Sequence, residues 1–166
     1  MGLVISATSA MWFLPFAVLI SLYVGYTDMR FMKITNVAVV ALFLVFVIVG
    51  LIALPFDEYI WRFAHLGVVL LIGFVCSALG LVGAGDAKFA AAMAPFIALG
   101  DAVSMLYLLS ASAIVTIVFH RLLQRSTFIR SRTATWKSWD NKDFPMGMAL
   151  GTALIVYLAL GAVYGQ

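Results

Sequence analysis

The sequence predicts an all-α integral membrane protein with about six transmembrane helices. Of its 166 residues, 65% are hydrophobic and 10% are charged, whereas apolar residues make up about half of an ordinary soluble domain. The charged residues are bunched, which leaves long apolar runs between them. A chain of this length can hold about six spans of roughly 20 residues with little left over. We therefore expect a single polytopic domain over residues 1–166.

Six apolar segments follow one another along the chain. They cover approximately residues 11–27, 34–54, 60–82, 87–99, 102–123 and 146–164. The fourth segment contains Pro95 and is too short to cross a bilayer alone. It follows the glycine-rich turn 83–86, and irregular backbone at membrane depth is tolerated only inside protein or beside water. The sequence therefore predicts a protein-lined or hydrated position for that turn.

The basic residues indicate how the segments are oriented. All Lys and Arg residues but one fall in connections on the same side of the predicted segments: Arg30, Lys33, Lys88, Arg121, Arg125, Arg130, Arg132, Lys137 and Lys142. The exception is Arg62, which falls on the opposite side with Asp57, Glu58 and Asp101. The positive-inside rule makes the basic side cytoplasmic, with the N and C termini both outside. No basic side chain precedes the first apolar run, so a cleavable signal peptide is not expected.

The same orientation predicts that two isolated carboxylates lie at one membrane boundary. Asp28 closes the first segment and Asp86 opens the fourth. An ionisable group at the edge of hydrocarbon is costly and marks a functional site by default. Two nearby carboxylates cannot both ionise cheaply, so one can accept a proton from water while the other donates to a peptide carbonyl. This chemistry calls for no cofactor and no metal.

Structural alternatives exist for each of these residues. Asp86 can be a helix cap after a glycine turn, and Asp28 can be an interfacial carboxylate near Arg30. Gly83 and Gly85 permit positive φ and close backbone approach, so that Asp86 can be aimed into a tight space.

Two basic features of the same face also have alternative interpretations. Lys88 either neutralises the charge of the carboxylate pair or anchors the helix end to lipid phosphates. The basic, aromatic connection 121–142 is typical of a segment lying against anionic lipid, and substrate docking is its alternative role. The net charge of +3 is attributed to this membrane face, not to nucleic-acid binding.

Three stretches of the sequence resemble a known family, the type IV prepilin peptidases of the GxGD aspartic protease group. The stretch 28–36 begins with Asp28, continues through basic residues and ends in Ile-Thr-Asn. The stretch 83–88 is Gly-Ala-Gly-Asp-Ala-Lys, and the stretch 144–147 is Phe-Pro-Met-Gly, with Met146 in place of the usual aromatic residue. The resemblance covers essentially the whole chain and is closest to the small single-domain members of the Flp, or tight-adherence, pilus systems.

The resemblance implies a function and a set of site residues. It implies an enzyme of the bacterial inner membrane that cleaves the leader of Flp-type prepilins at the cytoplasmic face, with Asp28 and Asp86 as the catalytic pair. The residues implied in support are Gly83, Gly85, Lys88, Asn36, Pro145 and Gly147. Larger relatives carry Cys pairs in an additional domain and also N-methylate the product, whereas this chain has Cys76 alone, so peptidase activity without methyltransferase activity is implied.

The expected partners are the prepilin, with its leader and apolar helix, and membrane lipids; no oligomeric state is assigned. Two other classes of protein remain as alternatives. One is a small proton- or cation-coupled transporter, which predicts related halves of the chain. The other is a non-catalytic subunit of a pilus or secretion assembly, in which the aspartates pair with a partner protein.

Overall fold

The computed structural model describes residues 2–141 and 143–166, and over these residues the protein is all-helical. Its helices are α1 (Ala7–Phe31), α2 (Asn36–Ala53), α3 (Phe56–Ala78), α4 (Ala84–Met93), α5 (Ala102–Arg125), α6 (Thr127–Arg132) and α7 (Met146–Tyr164). Short 3₁₀ turns cover Ala94–Phe96, Leu99–Asp101 and Lys137–Trp139. Within the described residues, the β pairing consists of one isolated bridge between Leu3 and Gly165.

Five of the helical segments are long and apolar enough to cross a membrane. They correspond to α1, α2, α3, α5 with its preceding turn, and α7, and they make the chain a membrane protein. The fourth apolar segment is different, because α4 has only 10 residues and is followed by two 3₁₀ turns. Pro95, which has no backbone N–H, lies in the first of these turns. The six predicted segments are therefore five helices of spanning length and one broken segment.

The third segment ends earlier than the sequence predicts. α3 stops at Ala78 because Gly80 adopts the left-handed conformation, with φ of 72°. The N–H groups of Gly80 and Leu81 donate to the carbonyls of Ser77 and Cys76, which is the hydrogen-bond pattern of a Schellman motif. Residues 79–83 consequently form a turn and not a last helical turn.

The fourth segment begins earlier than predicted. α4 starts at Ala84, so Asp86 is the third residue inside the helix and does not precede it. This short helix packs mainly against α3, where a Cβ on Gly73 would lie 3.0 Å from the Cβ of Ala87.

α1 and α7 form the centre of the bundle and pack together over most of their length. A Cβ on Gly151 would lie 2.9 Å from the Cβ of Ser21, and one on Gly161 would lie 3.0 Å from the Cβ of Ala10. Small residues at such contacts let two backbones approach closely, which is a common way to join helices where lipid removes the hydrophobic driving force. The two helices therefore form a tight central pair.

A buried carboxylate joins the two ends of the chain. Asp101, which is 2% exposed, accepts hydrogen bonds from the N–H of Val4 (2.8 Å), the N–H of Ile5 (3.0 Å) and the hydroxyl of Tyr157 (2.9 Å). Both described termini therefore lie at one end of the bundle. At 1.5 Å per residue, α1 carries the chain about 30 Å from this end to Asp28.

Arg62 stabilises the broken segment from the neighbouring helix. Its guanidinium is 2% exposed and donates to the carbonyl of Pro95 (3.0 Å) and to Glu58 (2.6 Å). A buried charge needs such partners, and a carbonyl freed by a helix break needs a donor. The hydrogen bond from Arg62 to the Pro95 carbonyl therefore gives the buried charge an acceptor and the freed carbonyl a donor.

Candidate active site

A cavity of about 710 Å³ lies at the end of the bundle opposite the termini. Its walls are three connections: the end of α1 with the turn into α2, the turn between α3 and α4, and the segment leading into α7. The lining residues are Asp28, Met32, Lys33, Ile34, Gly80, Leu81, Val82, Gly83, Ala84, Gly85, Asp86, Asn141, Asp143, Phe144 and Met146. The structure thus brings Asp28 and Asp86 into one cavity.

Asp28 is buried in the last turn of α1 and is held by another helix. It is 5% exposed, and its Oδ2 accepts a 2.7 Å hydrogen bond from the N–H of Gly147, in the first turn of α7. Pro145, immediately before α7, has no N–H to offer. The N-terminus of a helix attracts negative charge, so α7 supplies both a donor and a favourable dipole.

The contact with Asp28 leaves no room for a side chain at position 147. A Cβ there would lie 3.0 Å from Oδ2 of Asp28 and 2.9 Å from Cδ1 and Cγ1 of Ile34. Gly147, predicted as a supporting residue, therefore contacts the carboxylate directly.

The end of α1 turns the following residues over the cavity. Met32 adopts a left-handed conformation with φ of 54°, and its N–H donates to the carbonyl of Asp28 at 2.8 Å. This conformation is uncommon for a residue other than glycine. It directs Lys33 and Ile34 into the cavity wall.

Asp86 is half-buried in the first turn of α4, outside the five helices of spanning length. The Asp86 carboxylate reaches back towards the backbone of Gly83, at the cap position of α4, and the Gly83 N–H lowers its pKa. A third helical residue that reaches back to the cap is the arrangement of a capping box. Burial raises the pKa of Asp86 by more than the Gly83 N–H lowers it. The Asp86 carboxyl therefore keeps a proton more readily than a surface aspartate does.

The two glycines of the turn do not use the positive φ that glycine permits. Gly83 has φ of −63° and Gly85 is helical. Gly83 matters because of space, since a Cβ there would lie 2.6 Å from Oδ2 of Asp86. A Cβ on Gly85 would lie 3.4 Å from the Cβ of Ile34, which is an ordinary van der Waals contact.

Two of the nearby cations, Lys88 and Arg30, contact groups other than the carboxylates. Lys88 donates to the side-chain oxygen of Asn36 at 3.4 Å, and Arg30 donates to the Tyr26 hydroxyl while lying 4.9 Å from the centre of the Phe31 ring. Among the described residues, the ion pairs within 4 Å are Arg62–Glu58 and Arg130–Asp140. Neither Asp28 nor Asp86 thus has a cationic partner in the described part of the chain.

The basic connection between α5 and α7 folds back onto the bundle. Trp139 is 3% exposed and stacks on His120, with ring centres 5.1 Å apart, and on Trp136, at 5.9 Å. The Trp136 ring meets the Tyr26 ring edge-on at 6.0 Å. This column of four rings, Tyr26, Trp136, Trp139 and His120, joins the connection to α1 and α5. Lys142, which belongs to the predicted basic connection, lies outside the described residues.

Sequence reasoning singled out the block 144–147 but missed Asn141 and Asp143 in the same wall of the cavity. Asn141, Asp143 and Phe144 line it, and the side chain of Asn141 accepts a hydrogen bond from the N–H of Asp143 at 3.1 Å. A signal was present in the sequence, because the predicted topology puts this connection on the same face as Asp28. Asp143 is an acid directly before the Phe-Pro pair at 144–145.

One buried and one half-buried carboxyl group, Asp28 and Asp86, lie in one cavity at the helix ends of a membrane bundle. Two carboxyl groups are what acid–base hydrolysis requires. A family model described as the type IV leader peptidase family matches residues 12–120. The chain belongs to the type IV leader peptidase family, which indicates that it is a protease. The matched residues include Asp28 and Asp86 and end before Gly147. No curated protein and no solved structure matches the chain.

Proposed function

We propose that the protein is an aspartic endopeptidase that removes the leader of type IV prepilins, with Asp28 and Asp86 as its catalytic pair. The observation that carries this proposal is the meeting of these two carboxylates, from different helices, in one cavity. The family membership supports leader cleavage as the reaction.

The mechanism is hydrolysis by one ionised and one protonated carboxyl group. The ionised group takes a proton from water as its oxygen attacks the peptide carbonyl carbon, and the protonated group donates to the carbonyl oxygen. When the tetrahedral intermediate collapses, the carboxyl group that took the proton from water donates it to the leaving nitrogen. The other carboxylate takes a proton back from a hydroxyl of the intermediate, and the C–N bond breaks. The raised pKa of Asp86 and the donor that Gly147 presents to Asp28 are consistent with a pair that shares one proton. The two groups titrate together, so the acid and base roles belong to the pair.

The substrate enters from the side, with its apolar helix in the bilayer and its leader junction at the cytoplasmic boundary. Two observations support this orientation. The cavity lies at the helix ends, and its walls are the connections between helices. Most basic residues also lie in connections on this side, which the positive-inside rule assigns to the cytoplasm.

Within the family, we assign the chain to the Flp pilus systems of the bacterial inner membrane, with peptidase activity only. The ordered blocks at 28–36, 83–88 and 144–147 support this assignment. Cys76 is the one cysteine of the chain, so the Cys pairs that accompany methyltransferase activity in larger relatives are not present in this sequence.

The test is cleavage of a synthetic prepilin segment by the purified protein in detergent. We expect wild-type protein to yield a shortened product cut at the leader junction, and Asp28→Asn and Asp86→Asn each to lose at least about 100-fold in rate, as expected when an essential acid or base is removed. Asp140→Asn is the matched control, because Asp140 is exposed and pairs with Arg130 outside the cavity. A transporter or an assembly subunit would yield no product. Cleavage by either cavity variant at the wild-type rate would overturn the assignment.

A further inference from the structure

We propose that an anionic phospholipid binds in a groove between α1, α5 and α7, with an acyl chain in the groove and its phosphate at Arg30. This site lies outside the carboxylate cavity. It does not depend on the proposed peptidase activity.

The groove has a volume of about 300 Å³ and is almost entirely apolar. Residues that line it include Leu22, Tyr26, Phe119, Leu123, Trp136 and Ile155. Thr152 also lines it, but the Thr152 hydroxyl already donates to the carbonyl of Met148 at 2.8 Å. An apolar ligand therefore fits this surface.

The position of the groove on the bilayer-facing surface favours an acyl chain as its occupant. Leu22 is 63% exposed and Phe119 is 51% exposed on helices of spanning length, so the groove opens towards the bilayer. A flexible, narrow chain is the occupant that can enter from there.

The mouth of the groove has the composition of a phosphate-binding membrane interface. Tyr26 and Trp136, whose rings meet edge-on, are the amphipathic residues that favour the headgroup level. Arg30 is exposed and donates to the Tyr26 hydroxyl, and no described acid forms an ion pair with it. Its guanidinium is therefore available to an anionic headgroup beside the aromatic pair.

The charge of the adjoining connection complements such a lipid. Among the described residues from the end of α5 to Asn141, Asp140 is the one acid, and it is outnumbered by cations: Arg121, Arg125, Arg130, Arg132 and Lys137. This excess attracts anionic lipid to the region, and the groove beside Arg30 gives one lipid a defined place.

Lipid bound here would contact the ring column that supports one wall of the cavity. Trp136 lines the groove and stacks on Trp139, and two residues after Trp139 the chain reaches Asn141 in the cavity wall. The site thus adjoins the active-site segment without sharing a carboxylate with it.

The test is native mass spectrometry of the protein in mild detergent with phosphatidylglycerol or phosphatidylcholine of identical acyl chains. We expect one phosphatidylglycerol to bind in preference to phosphatidylcholine. Thr152→Phe, which fills the groove, should abolish the adduct. Arg30→Gln should weaken phosphatidylglycerol binding about fivefold, the effect of one cation near anionic lipid, and should leave phosphatidylcholine binding unchanged.

Two matched variants serve as controls. Leu71→Phe adds an aromatic ring on the exposed face of α3, outside the groove, and Arg125→Gln removes an exposed cation from α5. Leu71→Phe should bind lipid as the wild type does, and Arg125→Gln should weaken phosphatidylglycerol binding less than Arg30→Gln does. Leu22→Trp, which obstructs the groove from its exposed side, replaces Thr152→Phe if that variant does not fold by circular dichroism. Equal binding of the two lipids, binding that survives groove filling, or equal losses in Arg30→Gln and Arg125→Gln would each overturn the proposal.

Discussion

The backbone N–H of Gly147 donates a 2.7 Å hydrogen bond to the carboxylate of Asp28 across 119 positions of sequence. The first and last spanning helices of the bundle therefore meet at one of the two proposed catalytic groups. The close packing of α1 on α7 sets this distance, since Gly151 and Gly161 bring the two backbones together further along the same interface.

Replacing Gly147 with alanine should reduce activity by disturbing Asp28. The new methyl group would meet Oδ2 of Asp28 and Ile34, and relieving the clash would lengthen the hydrogen bond. A hydrogen bond to a charged group contributes about 1.5–3 kcal/mol, so kcat/KM should fall at least about tenfold. The measurement is peptide cleavage in detergent. Gly67→Ala is the control, because a Cβ at position 67 has nothing within 4 Å; wild-type activity in Gly147→Ala would contradict the assigned role.

The two glycines of the α4 turn should differ in their tolerance of alanine. Gly83→Ala would push the Asp86 carboxylate away from its present position, because the Cβ would lie 2.6 Å from Oδ2. Gly85→Ala would make only an ordinary contact with Ile34 at 3.4 Å. We expect a loss of about tenfold or more in kcat/KM for Gly83→Ala, the scale of a misplaced catalytic group, and a smaller loss for Gly85→Ala. The opposite order would show that this geometry does not govern the reaction.

Removing the charge of Lys88 should have a modest effect. The ammonium group donates to Asn36 and forms no ion pair with Asp86. Lys88→Met should therefore lower kcat/KM by less than about tenfold, the range expected for an exposed polar contact. The pH profile should keep its shape. A loss as large as that of Asp86→Asn would mean that Lys88 acts on the carboxylate pair itself.

The pH dependence of cleavage should be bell-shaped, because the reaction needs one ionised and one protonated carboxyl group. As pH falls, both groups become protonated and the base is lost. As pH rises, the shared proton is lost. Burial raises the pKa of Asp86, so its protonated form persists to higher pH than in an ordinary aspartate, and the alkaline limb should shift upward accordingly.

The measurement for this prediction is kcat/KM across the pH range in which the protein remains folded. Histidine is the other side chain that titrates near neutral pH, and the chain has two. His65→Gln and His120→Gln should therefore keep the alkaline limb. If the fall of kcat/KM at alkaline pH disappeared in either variant, that histidine, and not the carboxylate pair, would be the group that titrates.

At the far end of the bundle, Asp101→Ala should destabilise the fold. The change would leave the N–H groups of Val4 and Ile5 and the hydroxyl of Tyr157 without their acceptor. An unsatisfied buried donor costs about 1–3 kcal/mol, so the free energy of unfolding should fall by roughly 3 kcal/mol in total. Thermal unfolding in detergent measures the change. Asp57→Ala, which removes an exposed acid from α3, should leave Tm nearly unchanged, and equal shifts in the two variants would contradict this role for Asp101.

The sequence predicted the helical membrane bundle and the meeting of Asp28 and Asp86 because both follow from simple patterns. Apolar runs define the helices, and the side on which Lys and Arg fall relates helix ends that are distant in sequence. The contact between Asp28 and Gly147 could not be predicted in this way, since it depends on how far α7 slides along α1. The early end of α3 depends on the conformation of Gly80, and the apolar residues after it conceal that end.

The fourth segment shows a second limit. Its shortness and Pro95 predicted an irregular backbone, but they did not indicate that Arg62 would lie inside the bundle as a donor to the Pro95 carbonyl. By the positive-inside rule, Arg62 is simply a basic residue on the wrong side of the membrane. Its structural role depends on the packing of α3 against the broken segment, which the sequence does not reveal.

Connections supply most of the lining of the carboxylate cavity, and α1 and α7 also meet there at Asp28 and Gly147. Loops tolerate change better than helix interfaces, so substitutions in these turns that spare the Asp28–Gly147 contact would alter the shape of the cavity and leave the pairing of α1 with α7 in place. The shape of the cavity can therefore diverge during evolution while the α1–α7 pair is preserved.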